Sequence, residues 1–220
     1  MAPQRTVLVP RPRLARWLDN FALRHGEPEA HLAGDQLVLG AGDGATASVL
    51  IPYGPVLVDD HADTAALLSA VVAHVNVDRR IAVLLVRRGG HAIGVFVGDR
   101  LINSKVGSNY VQGRTKAGGW SQQRYARRRA NQARQAFSDA TGDAVRVLID
   151  EADTATGYDA LLCGGDREAC EAVLDDQRLS QLGSLWQPRI VHPVPDPRLR
   201  VLQGFIEQGL SLRIGLNELA

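Results

Sequence analysis

The stretch IAVLLVRRGGHAIGVFVG, residues 81–98, decides the fold class. Two β-rich apolar runs flank a Gly-Gly turn, which is the pattern of a β-hairpin. A further short strand is expected through Leu101 and Ile102, followed by a loop rich in Gly, Ser, Asn and Lys. Downstream, YDALLCGG (residues 158–165) reads as a buried strand ending in a glycine turn, with a helix from Asp166. RIVHPVP (residues 189–195) reads as a short strand and residues 197–208 as a helix. Strands interleaved with helices predict an α/β domain, a mixed β-sheet layered with helices, over residues 79–220.

Upstream lies an accessory α+β region, residues 1–78. Residues 12–25 place Leu14, Trp17, Leu18 and Phe21 on one helical face, and Gly26 follows to end the helix. Residues 36–39, 48–51 and 56–58 read as small strands separated by glycine and proline. Residues 63–75 read as a helix carrying Leu67, Leu68, Val71 and Val72. The preceding DDHAD (residues 59–63) resembles a metal-ligand run. An aspartate just before a helix is better explained as a cap for its free amides.

A chain of 220 residues can bury one substantial core, or a core domain and a smaller one. No apolar run approaches the roughly 20 residues that cross a bilayer, and the N-terminus lacks the apolar region of a secretory signal. Two cysteines, Cys163 and Cys170, supply neither a disulfide framework nor a four-thiolate zinc site. They read as small buried residues, not as a redox pair. None of the six histidines has metal-ligand spacing. A reduced, cytoplasmic protein without metal or cofactor is expected.

The near-zero net charge hides an asymmetry. Residues 100–138 contain nine basic side chains and no acid, leaving 16 basic against 24 acidic residues elsewhere. Exposed helices usually mix signs to gain i,i+4 pairs, so an acid-free window points to an anionic partner. At its centre stands RTKAGGWSQQRYARRRANQAR, residues 114–134. On a helix over residues 121–140, Ala126, Ala130, Ala133 and Phe137 share one arc, suited to packing on a sheet. Arg124, Arg127, Arg128, Asn131, Arg134 and Gln135 share the opposite one. Guanidinium matches phosphate oxygens in a bidentate way, and a folded RNA backbone is the natural ligand for such a row. Ser121 is placed to cap the helix, and Gly118 and Gly119 before it permit positive φ and close backbone approach.

These residues carry a resemblance. GGWSQQRYARRRANQA is similar to the GGQ loop and following helix of the catalytic middle domain of eukaryotic and archaeal peptide-chain release factors. Gly118, Gly119, Ser121, Arg124, Tyr125, Ala126 and Arg127 occupy matching places. The hairpin before the loop and the strand ALLCGG after the helix fall in that family's order, so the resemblance spans about residues 79–220. The chain looks most like the actinobacterial branch of the Vms-like release factors (VLRF), peptidyl-tRNA hydrolases of ribosome quality control. An arginine-heavy composition with Lys105 and Lys116 as the only lysines suits a GC-rich actinobacterial genome. The resemblance implies a release-factor middle-domain-like, RNase H-like core. Where release factors have the glutamine of GGQ, this sequence has Trp120; glutamines follow at Gln122 and Gln123. VLRF proteins have a displaced glutamine here, so the chemistry falls to Gln122, then Gln123, with Gln112 upstream a third choice.

The implied reaction is codon-independent hydrolysis of the ester between a nascent peptide and tRNA, on stalled ribosomes or large subunits. Glutamine is a poor proton acceptor, so its contribution is to orient water and contact developing charge. Gly118 and Gly119 would let the loop enter the peptidyl-transferase centre. Arg114, Lys116, Arg124, Arg127, Arg128 and Arg134 would hold rRNA or tRNA phosphates, and Trp120 would stack on a base. Neither codon-reading nor GTPase-binding domains are expected within this length, and no DNA or membrane partner is expected. Two other readings stay open. One is a ribosome- or RNA-binding module without chemistry, since the same scaffold serves both roles. The other is a tRNA-end nuclease using a metal held by Asp150, Glu151 and Asp153.

Overall fold

The structure is a computed structural model that describes residues 5–59, 61–108, 134–150, 157–186 and 189–220. It is a mixed α/β fold with two five-stranded sheets. The chain divides into two compact units, Met1–Val77 with Glu207–Ala220, and Asp78–Ile206.

In the first unit, strands β1 (Arg5–Val9), β2 (Glu29–Ala33), β3 (Gln36–Gly40) and β4 (Thr46–Leu50) join a strand from the far end of the chain. The order is β1-β10-β4-β3-β2, with β10 at Leu212–Leu216 and every pairing antiparallel. Helix α1 (Leu14–His25) buries Leu14, Leu18 and Phe21, the stripe its periodicity predicts, and ends at Gly26 with φ of 87°. Helix α2 (Thr64–Asn76) buries Leu67, Val71 and Val75. Its start settles the DDHAD stretch: Asp63 accepts from the amide of Ala66 at 2.8 Å, and Asp59 accepts from that of His61 at 2.8 Å.

Two expectations change here. Residues 56–58 do not form a strand; they follow the turn Pro52–Tyr53–Gly54–Pro55, where Tyr53 and Gly54 both take positive φ. Proline supplies no ladder donor, and the left-handed pair bends the chain away from an extended path. The chain's end, expected with residues 79–220, belongs to the first unit. The reason is that Leu212, Ile214 and Leu216 fill the core that Leu37, Leu39, Ala47 and Val49 build.

The second unit is built on β5 (Arg80–Arg87), β6 (Gly90–Val97), β7 (Arg100–Ser108), β8 (Ala160–Gly165) and β9 (Val191–His192), in the order β7-β6-β5-β8-β9. The hairpin forms, but its two-residue turn is Arg88–Gly89 rather than the Gly-Gly pair, since Gly90 already belongs to β6, opposite Arg87. β8 and β9 add in parallel, so the sheet is mixed. β7 runs well beyond Leu101 and Ile102, through the stretch read as a loop. Asn103, Ser104 and Lys105 have loop chemistry, yet they pair in register with Val95, Gly94 and Ile93. The register between β6 and β7 shifts between Val95 and Phe96, a bulge that adds to the local twist.

Helices cover both faces of this sheet. On one, a helix described over residues 134–145 (α3) continues into a π-helical turn, Arg146–Asp150. Beside it lie α4 (Arg167–Leu174) and α5 (Ser180–Ser184). Ala140, Ala144, Cys170, Val173 and the buried Trp186 meet Leu84, Val86, Ile93 and Leu161 there. The Trp186 indole donates to the carbonyl of Ile190 at 3.0 Å, and Arg167 and Arg189 lie 5.7 and 5.3 Å from its ring centre. The opposite face takes α6 (Leu199–Gly209): a Cβ on Gly94 would sit 3.0 Å from Leu202, and Phe205 meets His192 edge-on at 5.5 Å.

The parallel β5–β8 pair closes on Gly165, whose φ is +104° and whose missing Cβ would lie 2.1 Å from the carbonyl oxygen of Val86. Gly165→Ala should therefore destabilise the unit by more than about 2 kcal/mol, through both φ strain and the backbone clash. Gly142, inside α3 with nothing near a prospective Cβ, is the control. Gly142→Ala should leave stability unchanged or raise it by up to about 1 kcal/mol. The shift of the urea midpoint measures both.

Candidate functional site

The sheet order fixes where the basic segment departs. In the ladder Ser108, the last residue of β7, faces Gly90, and Gly90 faces Arg87. Val86 in turn faces Gly165. The ends of β5, β7 and β8 and the start of β6 therefore share one end of the sheet. From this end the chain passes into residues 109–133 and returns in α3.

Arg114, Lys116, Gly118, Gly119, Trp120, Ser121, Gln122, Gln123, Arg124, Arg127 and Arg128 lie outside the described residues, as does Gln112. Arg134 alone of the expected site residues is described. It is exposed on α3 and already engaged by another group. Gln135, also exposed, donates to Asp139 one turn on at 2.9 Å. Beneath them Ala136, Ala140 and Ala144 are buried and Phe137 is partly buried. The small apolar face read from the sequence thus continues along the described helix, with the polar face outward.

The same end of the sheet carries groups that the sequence reading did not assign. Arg87 donates to the carbonyl of Val194 at 3.1 Å and lies 3.9 Å from both Asp166 and Asp196, which neutralise it. Arg88 is exposed, and its amide donates to Asp166 at 3.3 Å. In sequence RRGG reads as turn chemistry; only the ladder shows that the turn sits beside the departure of residue 109.

His91, next in β6, is 2% exposed. Its Nε2 lies 2.9 Å from Oδ2 of Asp143 on α3, and the other Asp143 oxygen meets Arg146 at 3.2 Å. A carboxylate only accepts, so Nε2 carries the proton. His91 faces Gly107, where a Cβ would come within 2.3 Å of the imidazole. The ring therefore lies flat across the strand one residue before its end. A lone histidine in a hairpin strand gives no sequence signal of this; the glycine two residues before the acid-free loop was the one available hint.

Among the described residues, no group of three or more His, Cys, Asp and Glu is arranged to hold a metal ion. Of the acidic trio, Asp150 is exposed at the end of the π turn, and Glu151 and Asp153 lie outside the described residues. Cys163 and Cys170 are both buried free thiols. Burial pushes the Cys163 thiol well above its ordinary range, and the neighbouring Cys170 adds to this.

A family model for the Actinobacteria/chloroflexi VLRF1 release factor matches residues 79–215. The chain belongs to this family. Its place is thus with release factors, proteins of translation. No curated protein matches the sequence. Among solved structures, the chain is similar to the archaeal translation termination factor aRF1, with 17% identity and a TM-score of 0.43. That likeness covers 79% of this chain and 50% of the other. A second, titled an archaeal protein, has 16% identity and a TM-score of 0.40, over 93% of this chain and 66% of the other. The chain thus spans half the length of the termination factor. Among the described residues, no helix of this VLRF1 family member is long and apolar enough to cross a membrane.

Thiol chemistry follows from burial. In the native protein both cysteines should resist a thiol-exchange reagent at neutral pH, because both are buried from the reagent and burial also disfavours the Cys163 thiolate. Both should react at once in denaturant, and absorbance of the released chromophore counts them.

Proposed function

We propose that the protein is a codon-independent peptidyl-tRNA hydrolase that releases nascent peptides from stalled ribosomes or large subunits in the cytoplasm. The observation that carries this reading is the family match over residues 79–215, which encloses the acid-free segment and its glycine pair. In this reading the 79–215 region is the catalytic part and residues 1–78 are accessory.

The ester is attacked by water. Gln122, or Gln123 beside it, orients that water through its side-chain amide, and the backbone around Gly118, Gly119 and Ser121 contacts the developing oxyanion. Arg114, Lys116, Arg124, Arg127, Arg128 and Arg134 neutralise rRNA and tRNA phosphates, and Trp120 stacks on a base. The exposed Arg88 extends this basic surface at the sheet end. The reaction needs no metal or organic cofactor.

The test is incubation with large-subunit-bound peptidyl-tRNA, following peptide and tRNA separately. Free peptide with intact tRNA is expected, whether or not a stop codon is present. Gln122→Ala or Gln123→Ala should lower the release rate at least about 100-fold, the scale of losing an oriented catalytic amide. Arg127→Ala with Arg128→Ala should weaken ribosome binding and flatten its salt dependence. Full release by both glutamine variants would refute the assignment of the chemistry. Shortened tRNA still carrying peptide would mean a nuclease, and binding without release would mean a module.

A further inference from the structure

His91 is tied more tightly than packing requires. Its ring lies across Gly107 on β7, immediately before the chain enters residues 109–133. Its Nε2 holds Asp143 on α3, the helix into which that segment returns. One side chain therefore touches both elements that bracket the basic segment.

Among the described residues, Nδ1 of the same ring is buried with no hydrogen-bond partner. A buried polar atom left unpaired is unfavourable, and an apolar side chain in this place would avoid it. What the imidazole adds over an apolar residue is a directional bond to α3. Such a bond adds register, because the stripe nearest the returning segment is small (Ala136, Ala140 and Ala144), with the larger Val145, Val147 and Leu148 packing only after it. Methyl groups make shallow ridges, and apolar contact is non-directional, so the stripe fixes depth better than it fixes sliding or rotation. Arg146 holds the second Asp143 oxygen at 3.2 Å and keeps the carboxylate aimed at the ring.

We infer that His91, with Asp143 and Arg146 behind it, is a positioning unit for the segment 109–133, setting where β7 delivers the chain and where α3 takes it back. Its role is that of a positioning residue. Its consequence for catalysis rests on the hydrolase reading; its geometric consequence does not.

Spin labels at Ser108→Cys and Arg134→Cys, both exposed positions, report the separation of the two ends in the full chain; the native thiols are buried. A single narrow distance is expected with His91 in place. His91→Leu, which removes the bond, should broaden or displace it. Asp143→Ala should do the same from a position that leaves the sheet core untouched. His91→Gln, whose amide reaches the same carboxylate, should restore it. On peptidyl-tRNA, the unlabelled Leu and Ala variants should lose about 10- to 100-fold in kcat at unchanged KM, as expected for misplacement rather than lost binding. The double variant should be no worse than either single one. An unchanged distance distribution in folded Asp143→Ala overturns the inference, whatever the activity does. If the distances respond while the unmodified protein releases no peptide, the hydrolase reading fails and the positioning role stands.

Discussion

The second unit depends on how closely α3 can approach its sheet. Ala136, Ala140 and Ala144 stand one turn apart and are all buried, so along this stripe the helix presents only methyl groups, while Phe137, Val145, Val147 and Leu148 add larger contacts toward its C-terminal end. Larger side chains would lift it from Leu84, Val86 and Ile93. Close docking brings the Asp143 carboxylate within reach of a histidine on the sheet itself. Helical periodicity then turns the face carrying Arg134 and Gln135 outward, opposite the buried alanines.

Charge is distributed to the same end. Elsewhere in the unit, arginines are neutralised by local acids: Arg178 by Asp176 at 2.8 Å, Arg167 by Glu171 at 3.5 Å, Arg146 by Asp143 at 3.2 Å. The pairing with Arg178 holds the Asp176 carboxyl down to about 2. Exposed pairs of this kind add little stability, but they cancel field. Residues 100–138 carry nine cations and no acid of their own. In sequence, the positive charge is therefore concentrated in the segment that follows β7.

The sequence made the hairpin, the strand before Gly165 and the amphipathic helices legible, because each rests on local periodicity or glycine punctuation. β1, β2 and β10 were not legible: each is short, and β10 is set by β1 and β4, far away at the other end of the chain. The extent of β7 was hidden for a different reason. Asn103, Ser104 and Gly107 have turn-like chemistry, and the ladder with β6 overrides that preference. The basic row and its glycine entrance could be read because composition alone carries them. His91 could not, since its meaning lies in a glycine and an aspartate that the fold brings to it.

This last contact bears on what kind of protein the segment serves. Binding to RNA through phosphates tolerates loosely held ends, because charge neutralisation is long-ranged and adds contact by contact. Ester hydrolysis does not: an amide that orients water must be held to a fraction of an ångström, and misplacement by about 1 Å costs about 100-fold in rate. A binding module would gain little from a buried histidine with one nitrogen unpaired. An enzyme whose reacting amide sits on a segment bracketed by β7 and α3 gains a fixed base for it. The tie between His91 and Asp143 is a feature that the hydrolase reading puts to use, and one that fixes the ends of the segment whichever reading holds.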